Sequence, residues 1–555
     1  MIPRSINELL TIAENSFKNG DLESSRLPLI EVIAKEPLNS KANELLAYLL
    51  FNTGNTEQAC KHLKIAASQP TASAGALYEM ASLYLQKKQY ELAIKLLQES
   101  LSKNGPFFEG FHDLGLALAG TNELDKSVLA FHKALNLNPL SPEAHYNLAK
   151  IYGDLKDFSN ALDSCQRALD INPGFIEALV NQGAALHQLK RYPEAIASYE
   201  SAIKIDENFI DAWVNMGFCL HSQKRFDEAL NILNRALSFN PNSAEAHWNK
   251  ALSLLIQGDF INGFAEFEWR WRCKAFDHKK RIFSRPQWMG QENLRGKTIF
   301  LYNEQGLGDS IQFCRYTKSI ADLGTNIILE ADPSLYGLFG NLPGVTHLIK
   351  KGDRLPEFDF HSSLMSAPFA LKTNLTNIPA SSSYLVADPI KVELWKLKLG
   401  EKKRKRIGIS WSSVSTFEND KDRSMALSSF IQAFPPDEYE LVCLQKIIKQ
   451  TDIETLRSRP DILFFGDDLK DFSDTAALIE CVDLVISTCT SIPHLSGALG
   501  KPTWIVLSFV ADWRWLSDRN DSPWYSSVHL YRQSTEGNWN EVMQRLAADL
   551  IIKIA

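Results

Sequence analysis

A 34-residue period runs without insertion through much of the first half of this chain, and it constrains the fold more than any other feature. Pro37, Pro139, Pro173 and Pro241 share one phase, and Glu207 takes the same slot between the last two. Proline lacks the amide hydrogen that a helix interior needs, so this slot marks where each unit ends. Small residues recur in a second phase at Ala13, Ala47, Ala81, Gly115, Ala149, Gly183, Gly217 and Ala251. A third phase holds Ala59, Ala93, Ser127, Ala161, Ala195, Ala229 and Gly263, while bulky apolar side chains recur at Phe131, Tyr199, Leu233 and Phe267. Units this short cannot bury an apolar face alone, so they must stack into one continuous core.

These markers resemble the tetratricopeptide repeat, in about eight copies from residue 6 to roughly 277. The resemblance implies an all-α superhelix of helix hairpins over residues 1–277, with a long groove. Two places before the small residue the later copies carry Asp113, Asn147, Asn181, Asn215 and Asn249, where the earlier ones carry Thr11, Leu45 and Glu79. Asparagine is a mediocre helix former, and core packing does not explain four of them at this interval. An amide can donate to and accept from any peptide group, at a net gain of about 0.5 to 1.5 kcal/mol per bond. The row is similar to the asparagine ladder of the O-GlcNAc transferase superhelix, which holds a substrate backbone. That likeness implies that these five residues contact a protein or peptide acceptor. The alternative is that each amide bonds a neighbouring turn.

The pattern decays at Glu268-Trp269-Arg270-Trp271-Arg272. Alternating aromatic and basic residues can stack on nucleic acid, but a formal net charge of -7 and a pI near 6.0 argue against that partner. The segment is expected to be a capping surface on which the second half docks, with residues 278–296 as connector and Trp288 fixing its orientation.

From Lys297 the period changes. Apolar runs at 298–302, 326–330, 345–349 and 358–361 alternate with helix-length segments. After a Ser-rich and Lys-rich break near 380–405, a second series follows at 406–411, 439–445, 484–487 and 503–507. This alternation predicts two parallel sheets covered on both faces, an α/β region. Its pivot is Tyr302 to Arg315, where a strand, a tight turn containing Gly306 and Gly308, and an amphipathic helix succeed one another. The glycines let backbone approach a ligand closely, and Asp309 falls at the helix N-terminus, as an N-cap or as a reactive carboxylate.

Three pieces resemble the bacterial lipopolysaccharide heptosyltransferases. They are Gly306-Leu307-Gly308-Asp309, Ile407-Gly408-Ile409-Ser410-Trp411, and the run from Asp483 to Pro502 that contains Thr490-Ser491-Ile492-Pro493-His494. The tail from Asp512 to Tyr525 is similar to members in which the module follows tetratricopeptide repeats. The resemblance implies a GT-B architecture of two Rossmann-like domains, 297–400 and 401–555, that is metal-independent and inverting, with a nucleotide-sugar as co-substrate and no cofactor. It implies Asp309 as general base. The donor would be held by Gly306, Gly308, Trp411, Ser412, Gln445, Thr490 and Ser491, with His494 giving a proton or charge to the leaving phosphate. Lys421 and Arg423 are either its cations or exposed loop charges. Cys489-Thr490 departs from the Asp-Thr of that family and removes a carboxylate. Asp467-Asp468 reads as a surface turn, not a metal site, and the basic run 402–406 reads as a solvated connector.

Residues 1–13 have neither a leader's apolar core nor an anchor, and no segment nears the roughly 18 apolar residues of a membrane span. Eight cysteines without a Cys-x-x-Cys pair fit a reducing cytoplasm. The expected function is transfer of a sugar from a nucleotide-sugar to a hydroxyl of a protein acceptor, by analogy a surface protein such as flagellin. The alternatives are a catalytically inactive repeat scaffold, or a transferase acting on a lipid-linked saccharide.

Overall fold

The structure, a computed structural model, describes residues 4–379, 382–413, 420–436 and 438–553. It divides into two compact units, Met1–Met216 and Gly217–Ala555.

The first unit is all-helical, a row of stacked helix hairpins. First helices of successive hairpins begin at Ile6, Ser40, Ala74, Phe108, Pro142 and Ile176, each 34 residues after the last, and a seventh, Ile210–Ser222, straddles the division. Ser5, Asn39, Ser73 and Ser141, together with Ser243 in the second unit, cap such helices by accepting a bond from the amide three residues on. The small-residue phase has a direct cause. A Cβ at Gly115 would lie 2.8 Å from the Phe131 ring, and one at Gly183 would lie 2.5 Å from Tyr199. Where the first helix has alanine instead, as at Ala149, the opposed residue sixteen places on is the smaller Cys165, and both are buried. Each hairpin also turns through a residue with φ between 57° and 86°, namely Gly20, Gly54, Lys88, Asn122, Lys156 and Lys190, then Lys224 and Gly258 in the second unit. Glycine adopts this left-handed conformation freely, whereas a side chain there costs about 1 kcal/mol.

The second unit holds the last hairpin helices, Phe226–Phe239, Ala244–Ile256 and Phe260–Phe267, with the whole α/β region. The repeat helices thus continue past the division between the units, and the last of them is packed into the α/β region. Phe260, Phe264 and Phe267 meet Trp513 and Trp524 with ring centroids 5.3 to 6.4 Å apart. Arg270 is fully buried, and Glu304 at the end of the first strand receives its Nε at 3.0 Å and its Nη2 at 2.9 Å. Glu268 takes its Nη1 at 2.6 Å. Ser366 accepts from the same guanidinium, and Ser363 donates to Glu304. The Trp-Arg segment is thus a docking surface, as its sequence suggested.

Strands β1 Thr298–Tyr302, β2 Asn326–Ala331, β3 His347–Lys350 and β4 Phe360–Ser363 form a parallel sheet in the order β3-β2-β1-β4. A second parallel sheet contains β5 Arg406–Ser410, β6 Glu440–Cys443, β7 Ile462–Phe464, β8 Leu484–Thr488, β9 Thr503–Leu507 and β10 Val528–Arg532, in the order β10-β9-β8-β5-β6-β7. Strand order reverses between β1 and β4 and between β5 and β8. At such switch points a crevice opens outside the carboxyl ends of the strands. The helix Pro389–Leu399, assigned by sequence to the first sheet's domain, packs with the second, through Lys391 to Asp474 at 2.6 Å and Trp395 against Phe465. The basic run is less solvated than expected: Lys402 pairs with Asp483 at 3.0 Å, and buried Arg406 with Glu440 at 2.7 Å. Gly466–Asp468 is a short turn whose Asp468 pairs with Lys398.

Two stability effects follow. Glu304→Ala leaves the Arg270 charge buried with only Glu268 and is expected to cost about 3 to 5 kcal/mol in denaturant melts; a loss below about 1 would contradict the role given to the pair. Lys156→Gly relieves a left-handed lysine and is expected to raise stability by up to about 1 kcal/mol, and an unchanged or lower midpoint would contradict it.

Candidate functional site

The turn after β1 is folded by its own side chains. Asn303 Nδ2 donates to the carbonyls of Gln305 and Gly306 at 3.0 and 3.1 Å, and the Gly306 amide donates to Asp309 Oδ2 at 2.8 Å. One carboxylate oxygen of Asp309 therefore does the capping work. The other, Oδ1, receives Arg514 Nη2 at 2.6 Å.

Sequence reading missed Arg514. It sits in the loop after β9, its side chain only 7% exposed, with Nη1 on Asp512 Oδ1 at 2.8 Å and Oδ2 at 3.0 Å. Its guanidinium lies over the Trp513 ring at 4.3 Å. Burial opposes the charge, but Asp309 and then Asp512 outweigh it and hold the pKa above its ordinary value.

Helix Ser491–Ala498 starts after β8, with Thr490 as its N-cap accepting from the Ile492 amide at 3.3 Å. It packs directly on the Asp309 turn: a Cβ at Gly308 would lie 3.0 Å from His494 Cδ2 and 3.5 Å from Ser491 Cα. Gly308 thus makes room for this helix, not for a ligand as expected, and Gly306 lies next to the Asp309 carboxylate. The two places singled out in sequence, 309 and 490–494, do come together.

His494 is 5% exposed, bonded through Nδ1 to the Tyr525 hydroxyl at 2.9 Å and stacked on Trp515 at 5.0 Å. Burial first, and then the Arg514 charge, lower its pKa to about 3. The expected role as proton or charge donor is thereby corrected: near neutral pH the ring is uncharged, and positive charge comes from arginine. Cys489 accepts from Trp515 Nε1 at 3.1 Å, and burial pushes its thiol up to about 11, so the group at this position is neutral near neutral pH.

Two donor-site assignments also change. Trp411 is fully buried with Nε1 on Asp452 Oδ2 at 2.8 Å, a core residue. Gln445 Oε1 accepts from the Trp411 and Ser412 amides at 2.8 and 3.2 Å, and its Nε2 donates to Ser412 Oγ at 3.3 Å, so it shapes the loop after β5 and has no edge left for a nucleotide. Arg423 Nη2 lies 3.5 Å from Ser413 Oγ, and its charge acts on both His494 and Cys489. Residues 414–419 and the Lys421 side chain lie outside the described residues.

Several buried polar atoms at the carboxyl ends of the strands have no protein partner among the described residues: Asn303 Oδ1 and Gln305 Nε2 after β1, Ser410 Oγ on β5, Thr488 Oγ1 on β8 and Arg514 Nε after β9. Unpaired buried polar atoms are costly, and they accumulate where a polar ligand would meet them. No group of three or more His, Cys, Asp or Glu suited to a metal occurs among the described residues.

In the first unit the acceptor row divides. Asp113 accepts from the Tyr78 hydroxyl at 3.2 Å and lies 3.2 Å from His112 Nδ1, whose Nε2 lies 3.2 Å from Asn147 Nδ2. These two residues belong to a side-chain chain of their own. The half-buried amides of Asn181 and Asn215 have no hydrogen-bond partner among the described residues. Asn249, in the second unit, is also half-buried.

Tetratricopeptide-repeat family profiles match residues 74–102, 142–175 and 186–255. The chain is 27% identical over 332 residues to Protein FlbA of Caulobacter vibrioides, covering 54% of either chain, so it spans about half the length of that curated relative. Similar solved structures include MamA (23% identical, 30% of this chain and 97% of that one, TM-score 0.28). Another is MamA from Desulfovibrio magneticus RS-1 (19% identical, 31% and 96%, TM-score 0.30). A third is YrrB, titled a TPR protein with an unusual peptide-binding site (20% identical, 33% and 93%, TM-score 0.27). The profiles establish tetratricopeptide repeats, and no helix among the described residues is long and apolar enough to cross a membrane.

Burial of neutral His494 links stability to pH. The unfolded chain binds a proton below its ordinary pKa of 6.5, while the folded chain refuses it down to about 3. Stability is therefore full above 6.5 and falls with pH below it, by about 2 kcal/mol between pH 7 and 5. Urea melts of the wild type and His494→Gln should differ by that slope, and parallel profiles would contradict it.

Proposed function

We propose that this chain is a glycosyltransferase that moves a sugar from a nucleotide-sugar to a hydroxyl of a protein acceptor bound by its repeats. The observation that carries this reading is the turn that holds Asp309, which pairs with Arg514 and packs through Gly308 on the start of helix Ser491–Ala498, together with unpaired buried polar atoms at two switch points among the described residues.

In the proposed reaction the acceptor oxygen attacks the anomeric carbon of the sugar. A C–O bond forms as the bond to the donor phosphate oxygen breaks, and the hydroxyl proton passes to Asp309. The bonding electrons leave with the nucleoside diphosphate, whose charge is met by Arg514, Arg423 and the free amides at the helix start. His494 holds Trp515 and Tyr525 in place and contributes no charge. Asn181 and Asn215 offer amides that suit a peptide backbone whatever its side chains.

A second reading, a repeat adaptor without catalysis, is favoured by one observation: Asp309 and Arg514 already neutralise each other. Release of free nucleotide from a donor distinguishes the two readings. The full chain, incubated with a panel of nucleotide-sugars, should release free nucleotide from one of them, and Asp309→Ala should slow this about 100-fold or more. Asn181→Ala with Asn215→Ala should leave that release unchanged and reduce glycan transfer to a protein acceptor. No release from any donor by a well-folded sample contradicts the transferase reading and leaves the adaptor.

A further inference from the structure

Arg514 stands between the two groups the reaction would need. Its carboxylate partners differ in how they are held. Asp512 grips Nη1 with both oxygens and also accepts the Arg514 amide at 3.0 Å, all within one short loop. Asp309 offers only Oδ1, because Oδ2 is engaged by the Gly306 amide. The oxygen covered by the guanidinium is therefore the one that would have to take a proton. On the other side, Arg514 Nε has no protein partner among the described residues, and the Asp309 turn touches the start of helix Ser491–Ala498 through Gly308. Trp513 and Phe313, at 4.3 and 5.8 Å from the guanidinium carbon, fix its plane.

We propose that the Arg514–Asp309 ion pair is a latch: a nucleoside diphosphate takes Arg514 from Asp309, so that binding the donor is what uncovers the base. This rests on the transferase reading above. A diphosphate brings more negative charge and more acceptor oxygens than one carboxylate, and a planar guanidinium binds it in a bidentate manner. Asp512 keeps Arg514 in position through the exchange, so the guanidinium needs to release only its Nη2 bond. Asp309 keeps its orientation through the Gly306 amide and is left with one free oxygen. Without donor that oxygen is masked; with donor it is available to the acceptor hydroxyl. Asp512 is then a positioning residue. Neutral His494, beside the same helix start, does not compete for the phosphate as a second cation.

The latch makes a prediction of opposite signs. Binding of UDP, GDP, ADP and CDP to the full chain is measured by titration calorimetry, and the nucleotide that binds the wild type is carried forward. Arg514→Gln should weaken it by about 30-fold or more, as loss of a buried charged contact does. Asp309→Asn retains an oxygen for the Gly306 amide but no charge to hold Arg514, and should tighten binding by about 3-fold to 10-fold. Arg514→Lys should fall between the wild type and Arg514→Gln. A purely structural ion pair predicts instead that both single variants weaken binding together. Weaker or unchanged binding in Asp309→Asn, or unchanged binding in Arg514→Gln, overturns the latch while leaving the transferase reading standing. If none of the four nucleotides binds the wild type at millimolar concentration, the transferase reading falls, and the latch with it. Should Arg514→Gln fail to fold by thermal melting, Asp309→Asn and Arg514→Lys still decide the question.

Discussion

A single guanidinium ties the carboxyl-end loops of the two sheets together. Arg514 reaches from the loop after β9 to the turn after β1, and it is buried among tryptophans with carboxylates on two of its nitrogens. A charge so placed is tolerated only while its partners stay. The constraint spreads outward. Asp309 is fixed by the Gly306 amide, Gly308 must lack a side chain so that His494 fits, and His494 must stay neutral beneath Trp515. A second buried arginine, Arg270, does the same service between the last repeat and the first strand through Glu304.

The repeat half was legible because its physics is periodic. A hairpin that recurs every 34 residues writes its tight contacts into the sequence as small residues, and the structure shows Phe131 and Tyr199 filling the space beside Gly115 and Gly183. The left-handed turn slot was missed because lysine occupies it more often than glycine does, and lysine carries no turn signal. Most strands of the α/β half were legible as short Ile- and Val-rich runs. β7 has only three residues, and β10 follows an irregular aromatic tail, so neither stood out. The docking role of Arg270 followed from its aromatic setting, but the placement of the last repeat with the α/β region depends on packing that no local pattern encodes.

The meeting of two loops was legible in the sequence, but the state of their side chains was not. The glycine turn and the hydroxyl-rich helix start pointed to the two loops that meet. What the sequence does not encode is burial. A histidine one turn into a helix looks like an acid, yet under Trp515 and beside Arg514 it holds no proton at neutral pH. Gln445 and Trp411 look like ligand contacts at strand ends, yet each is engaged by backbone or core. Arg514 lay unnoticed in a tail valued for its tryptophans, because its partners are distant in sequence.

The proposed reaction places a nucleotide against two particular backbone segments, and amide hydrogen exchange reads both at once. With saturating nucleoside diphosphate or nucleotide-sugar, exchange should slow at residues 303–313 and 488–495 and in the loop that carries Arg514. No protection in those segments under any donor, or protection confined to the repeat helices, would contradict the account.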